Sequence, residues 1–132
     1  MENAKLVKQL IVTTQDKPGM LAEVTGVIAS QGINIEAICA YGMEGKAIFY
    51  LVTKNNAKAK QALTAKGWQV NEEDVVMLDL ENKPGALSQL SSKLKAKNIN
   101  LKYCYGSACS SDCPCRLVLN ADDNKQLLEA LK

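Results

Sequence analysis

Asp16-Lys17-Pro18-Gly19-Met20-Leu21 returns 66 residues later as Asn82-Lys83-Pro84-Gly85-Ala86-Leu87. At the same offset Gly32-Ile33-Asn34-Ile35 returns as Asn98-Ile99-Asn100-Leu101. An acidic or amide residue, Lys-Pro-Gly, a helical stretch and Ile-Asn-Ile/Leu therefore form one unit used twice. With 132 residues in all and no linker-like gap, the chain reads as two small units, 1–71 and 72–132. A unit of that size buries too little surface to be comfortably stable alone, so the copies are expected to share a sheet or a core.

Working outward from the repeat, Leu6 to Thr14 and Val75 to Glu81 read as strands. Val76, Leu78 and Leu80 alternate with Asp79 and Glu81, the pattern of a half-buried strand. An even offset preserves faces, so Leu10 and Val12 are expected to point inward as well. Pro-Gly turns the chain into a helix, with Leu21, Val24 and Ile28 at helical spacing and Leu87, Leu90 and Leu94 repeating it. Gly32 and Asn98 stand where a left-handed residue ends a helix. Strands follow at Ile33 to Ala40 and Ile99 to Tyr105, then at Lys46 to Thr53 and Arg116 to Asn120. Second helices are expected over Ala57 to Lys66 and Asn124 to Leu131, the latter capped by Asp122 or Asp123. A separate short strand, Trp68-Gln69-Val70, follows the first of these, and Asn71 to Asp74 reads as a tight connection to Val75. The fold class is α+β: two ferredoxin-like βαββαβ units in tandem, sharing an antiparallel sheet with helices on one face. The last strand of the second unit is missing, which predicts a seven-stranded tandem.

Composition excludes several functions. A net charge of +2, with no basic block, gives no field for nucleic acid or a membrane surface. One Phe and one Trp, with no RNA-binding aromatic run, argue against RNA on the sheet. No apolar run approaches the roughly 20 residues of a membrane span, and no signal peptide is read at Met1 to Lys5. The expected location is the cytoplasm, where five Cys are free thiols rather than a disulfide framework. The absence of His removes Ser-His and Cys-His catalysis. No cofactor is implied.

The Pro-Gly loop opens a helix, and a helix N-terminus offers unpaired N–H groups and partial positive charge to a carboxylate or phosphate. Gly19 and Gly85 leave the approach clear of a side chain. Asn34 and Asn100 lie past the other end of each helix and offer both a donor and an acceptor. Together these groups suit an α-amino acid, the loop amides taking its carboxylate and an Asn oxygen its ammonium. Singly, Pro-Gly is an ordinary helix-entry turn and Asn an ordinary turn residue. Their joint recurrence favours a site.

At these same residues the sequence resembles the ACT domain, a family of small regulatory modules that bind amino acids. The resemblance covers nearly the whole chain, as two units without an attached enzyme. It implies units paired side by side, with an effector where the loop of one meets the helix-to-strand turn of another. Carried over by position, the ligand groups are Asp16, Pro18, Gly19, Met20 and Leu21 with Asn100 and Leu101, and Asn82, Pro84, Gly85, Ala86 and Leu87 with Asn34 and Ile35. The implied protein is a non-catalytic, allosteric sensor of a free amino acid. Self-association is expected through an open sheet edge or through the helix face bearing Met20 and Val27. An alternative is a regulatory subunit acting in trans on an amino-acid biosynthetic enzyme, similar to the small subunit of acetolactate synthase.

The remaining constellation is Cys104, Cys109, Cys113 and Cys115. Four thiols within twelve positions suit zinc, an iron–sulfur cluster or redox chemistry at Cys109 or Cys113. Their spacing matches no usual metal knuckle, and strand thiols serve equally as core side chains. The expectation is therefore no metal.

Overall fold

Ten elements carry the chain through the computed structural model, which describes residues 3–108, 110 and 112–132. They run β1 (Lys5–Gln15), α1 (Met20–Ser30), β2 (Ile35–Met43), β3 (Lys46–Thr53), α2 (Asn56–Ala65), β4 (Gln69–Leu80), α3 (Ala86–Ala96), β5 (Leu101–Ser107), β6 (Cys115–Ala121) and α4 (Asn124–Ala130). The strands form a six-stranded antiparallel sheet in the order β2-β3-β1-β4-β6-β5. The fold is α+β, two βαββαβ-like units, and no strand follows α4.

Six strands replace the expected seven. Trp68-Gln69-Val70 is not separated from Val75 by a turn: the backbone runs extended through Asn71 to Asp74 as part of β4. That stretch holds no Gly or Pro to reverse the chain. Its charges find partners while extended: Lys60 pairs with Glu72 at 3.2 Å, and the amide of buried Gln9 donates to Glu73 at 3.3 Å.

Two compact units emerge, one of residues Lys8–Glu73 and the other of Asp74–Lys132 with the N-terminal segment up to Val7. The first has the strand order β2-β3-β1-β4 and the second β1-β4-β6-β5. In the first, Leu10 and Val12 of β1 lie opposite Leu51 and Phe49 of β3. They pack with Val24 and Ile28 of α1 and Ala59 and Leu63 of α2. In the second, Val76, Leu78 and Leu80 pack with Leu117 and Leu119 of β6, Leu90 and Leu94 of α3, and Leu127 of α4. Both helices of a unit therefore cover the same sheet face, as the alternation of Val76, Leu78 and Leu80 predicts. Gly32 and Asn98 take left-handed φ values of 70° and 56°, and Ile33 and Ile99 return hydrogen bonds to Ile28 and Leu94 at 3.3 and 2.9 Å. Those bonds are the helix-ending motif anticipated from sequence.

Each second helix starts on an asparagine that also reaches into the sheet. In the first unit Asn56 accepts from the Thr53 N–H at 3.0 Å, and its Nδ2 donates to the Lys8 carbonyl at 2.8 Å. In the second, Asn124 accepts from the Ala121 N–H at 2.8 Å and donates to the Asp74 carbonyl at 2.8 Å. Losing both bonds leaves backbone groups short of partners, at about 1–3 kcal/mol. In urea unfolding, Asn124→Ala is expected to lose about that much stability. Leu90→Ala, which empties a wholly buried site, should lose ~2–5 kcal/mol.

Candidate functional site

The two Pro-Gly loops fold alike. Gly19 and Gly85 are the N-caps of α1 and α3, with φ of 90° and 86°, and neither helix receives a hydrogen bond from a capping side chain. Their second-helix counterparts differ: Asn55 caps α2 by accepting from the Lys58 N–H, and Asp123 caps α4 by accepting from Lys125 and Gln126. A glycine cap leaves first-turn N–H groups to solvent or a ligand. A β-carbon built on either glycine would meet no atom within 4 Å. The space beside each cap is open, and what forbids a larger residue is the left-handed backbone.

Around the loops the side chains divide sharply. Asp16, Pro18 and Gly19 are exposed, as are Asn82, Pro84 and Gly85. Met20 and Ala86 are buried in their units' cores, so only their backbone faces the loop. Leu21 and Leu87 stand 55% and 51% exposed, apolar groups at identical places beside each glycine. Met20 itself is therefore not available to a partner, while Val27 is partly buried against the same core.

Asn34 and Asn100 line equivalent grooves along the outer sides of α1 and α3. Thr25, Ala29, Ile33, Asn34 and Ile35 line one of about 430 Å³. Ser91, Lys95, Ile99, Asn100 and Leu101, each 66 positions on, line one of about 460 Å³. Both asparagine side chains are exposed, and the Asn34 carbonyl accepts from the Lys54 N–H at 3.0 Å. An eleven-residue helix separates each Asn from the Pro-Gly loop of its own unit by about 16 Å. A small molecule cannot touch both.

Sequence reasoning overlooked the hairpin that meets each loop. In the first unit the Asp16 N–H donates to the Gly45 carbonyl at 3.2 Å. Gly42 makes room for the Asp16 carboxylate, whose Oδ2 would lie 2.7 Å from a β-carbon there. In the second, Asn82 Nδ2 donates to the Ser110 carbonyl at 2.7 Å. Also overlooked were the tyrosines. Tyr41 and Tyr50 of the first unit, and Tyr103 and Tyr105 of the second, lie on the helix-free sheet face, opposite in alternation to Phe49, Leu117 and Leu119. Tyr41 and Tyr50 share a 3.1 Å hydroxyl contact, while Tyr103 and Tyr105 stack at 6.4 Å. Burial, then the Tyr41 hydrogen bond, raises the Tyr50 hydroxyl above the usual tyrosine range, so Tyr50 stays neutral at physiological pH.

Among the described residues the cysteines form no metal-binding group. Cys39, Cys104 and Cys115 are free thiols, whereas Cys113 is disulfide-bonded, against the expectation of free thiols throughout. Cys109 lies outside the described residues. Among those described, no three His, Cys, Asp or Glu side chains are grouped to hold a metal, and no helix is long and apolar enough to cross a membrane.

Two βαββαβ-like units, each opening its first helix at a glycine cap, define a duplicated ferredoxin-like fold. The chain belongs to the ACT-domain family: the profile of the ACT domain matches residues 8–65. The chain is 30% identical to the protein BT0572 from Bacteroides thetaiotaomicron, with a TM-score of 0.87 over 98% of this chain and 88% of that one. It shares its fold with the regulatory subunit of aspartate kinase from Thermus thermophilus, at 16% identity and TM-score 0.67 over 96% and 95% of the two chains. The corresponding subunit from Thermus flavus aligns at 17% identity and TM-score 0.61, over 98% and 94%. No curated protein matches the chain in sequence.

Gly19→Ala and Gly85→Ala are each expected to lower stability by about 1–2 kcal/mol in chemical denaturation, the cost of a left-handed backbone for a residue with a β-carbon. Crystal structures of the variants should show no displaced neighbours.

Proposed function

We propose that the protein is a non-catalytic sensor of a free α-amino acid, with the repeats 1–71 and 72–132 as its two binding modules. The observation that carries this reading is the pair of glycine-capped helix N-termini in a chain whose other two helices are capped by side chains. A carboxylate at such a terminus satisfies N–H groups and the helix dipole together. The ammonium then needs an acceptor a few ångströms away, and the Asn of the same unit is a helix length distant. The ACT-domain pattern takes that acceptor from another unit, pairing Asp16, Pro18, Gly19, Met20 and Leu21 with Asn100 and Leu101, and Asn82, Pro84, Gly85, Ala86 and Leu87 with Asn34 and Ile35. Exposed Leu21 and Leu87 are placed to select the ligand's side chain.

Strands β2 and β5 end the sheet order, and Ile38 on β2 is 40% exposed. An open edge of this kind invites pairing with another chain, so the working form is a homo-oligomer in which copies complete each other's sites. Action in trans on a biosynthetic enzyme is a second reading, favoured by the fold shared with the aspartate kinase regulatory subunits. Pull-down from native lysate, with identification of an amino-acid biosynthetic enzyme, is its test. Cytoplasmic location accords with either.

At least one α-amino acid in millimolar excess is expected to raise the melting temperature, because it binds only the native state. Absence of a shift or of calorimetric heat for every common amino acid would refute the sensor reading. Asn34→Ala and Asn100→Ala should each weaken one site and spare the other. Sedimentation at tens of micromolar is expected to give a dimer or larger species; a strict monomer with and without ligand would sink the oligomer.

A further inference from the structure

The grooves beside α1 and α3 repeat each other in position and differ in charge. Thr25, Ile33 and Asn34 of the first return as Ser91, Ile99 and Asn100 in the second, but Ala29 returns as Lys95. Helix α1 carries Glu23 and no basic residue, whereas α3 carries Lys93 and Lys95 in its last turn and no acid. Cations near a helix C-terminus are ordinary, since they suit the dipole. Lys93 and Lys95, however, stand about 200° apart around the helix, and of the two only Lys95 lines the groove. Among the described residues its exposed ammonium makes no ion pair. Beside the groove, Lys102 follows Leu101 where Glu36 follows Ile35 in the first unit, and Glu36 is paired with Lys54 at 3.1 Å.

The donors left over define what each groove can hold. The Ser91 hydroxyl donates to the Leu87 carbonyl at 2.8 Å, as that of Thr25 does to Leu21 at 2.7 Å. The lining side chains with protons to offer are therefore Lys95 and the amides of Asn98 and Asn100 in the second groove, and the Asn34 amide in the first. A free ammonium near the group that accepts a ligand's ammonium works against binding, unless the ligand brings a further negative charge.

We propose that the α3 groove selects a free α-amino acid with a second carboxylate, which Lys95 holds, while the α1 groove takes one with an uncharged side chain. This rests on the amino-acid-binding reading, in which Asn100 accepts the ligand's ammonium. At about 460 Å³ the groove has room for aspartate or glutamate. The two repeats thus share a backbone frame for the α-amino acid and differ in the side chain they admit.

The test is calorimetric titration of the full-length protein with L-aspartate and L-glutamate against L-asparagine and L-glutamine, pairs of nearly equal size that differ by one charge. One acid at least is expected to bind about ten-fold more tightly than its amide, the worth of one charge-assisted hydrogen bond. Lys95→Met, which keeps the apolar stem, should erase that difference. Lys93→Met, which removes the same charge outside the groove, should leave it. The proposal is overturned if neither acid binds, if neither binds more tightly than its amide, or if the preference survives Lys95→Met or is lost equally in Lys93→Met. In each of those cases a neutral amino acid that still binds leaves the sensor reading standing. If none of the twenty common amino acids gives heat, the sensor reading has failed on its own account, and the proposal falls with it.

Discussion

Two asparagine side chains, Asn56 and Asn124, join the pieces on which each unit depends. Each is the first residue of a helix, accepts from the backbone at the end of the preceding strand, and donates to the carbonyl of Lys8 or Asp74 in the unit's first strand. Hydrophobic contact presses a helix onto a sheet without fixing its rotation. Two directional bonds from one amide fix where the helix begins, and so which residues it turns inward. Leu63 and Leu127, both wholly buried, follow from that start.

These asparagines also mark where the sequence ceases to be legible. Lys8 and Asp74 obey the 66-residue offset, but Asn56 and Asn124 are 68 apart. The slip falls in the second hairpin, where the cysteine-bearing connection Ala108 to Pro114 replaces the two-residue Glu44-Gly45. Up to that point the repeat transfers structure position by position, because Pro, Gly and the apolar spacing act locally. Beyond it the helices were still readable from their own periodicity, but the shared device was not. The extended Asn71 to Asp74 was misread for a related reason. Charged residues suggest a turn, and only tertiary partners such as Lys60 and Gln9 reveal that they are held in a strand.

The site was legible in its backbone and less so in its side chains. Proline and glycine impose conformations whatever surrounds them, so the loops and the left-handed caps at Gly32 and Asn98 followed from residue type. Burial is a property of the assembled unit. Met20 and Leu21 both fall within helical spacing of Val24 and Ile28, and only the packed unit shows that Met20 is inside and Leu21 outside. Likewise nothing local in Tyr41 and Tyr50, or in Tyr103 and Tyr105, announces that each pair shares the helix-free sheet face of its unit. That needs the register of β2 on β3 and β5 on β6.

At the helix entrances the copies diverge in what surrounds the loop. The glycine cap, the exposed leucine and the groove asparagine are kept at matching positions, and those are the groups that define geometry. Asp16 and Asn82 differ by a full charge. A carboxylate beside a helix N-terminus competes for the dipole with an anionic ligand but attracts an ammonium, whereas an amide does neither at long range. Their hairpin partners differ correspondingly. Asp16 is accommodated by the missing side chain of Gly42 and anchored through its own N–H, a backbone bond that no change in side-chain chemistry alters. Asn82 is anchored through its side chain to the Ser110 carbonyl, beside the disulfide-bonded cysteine.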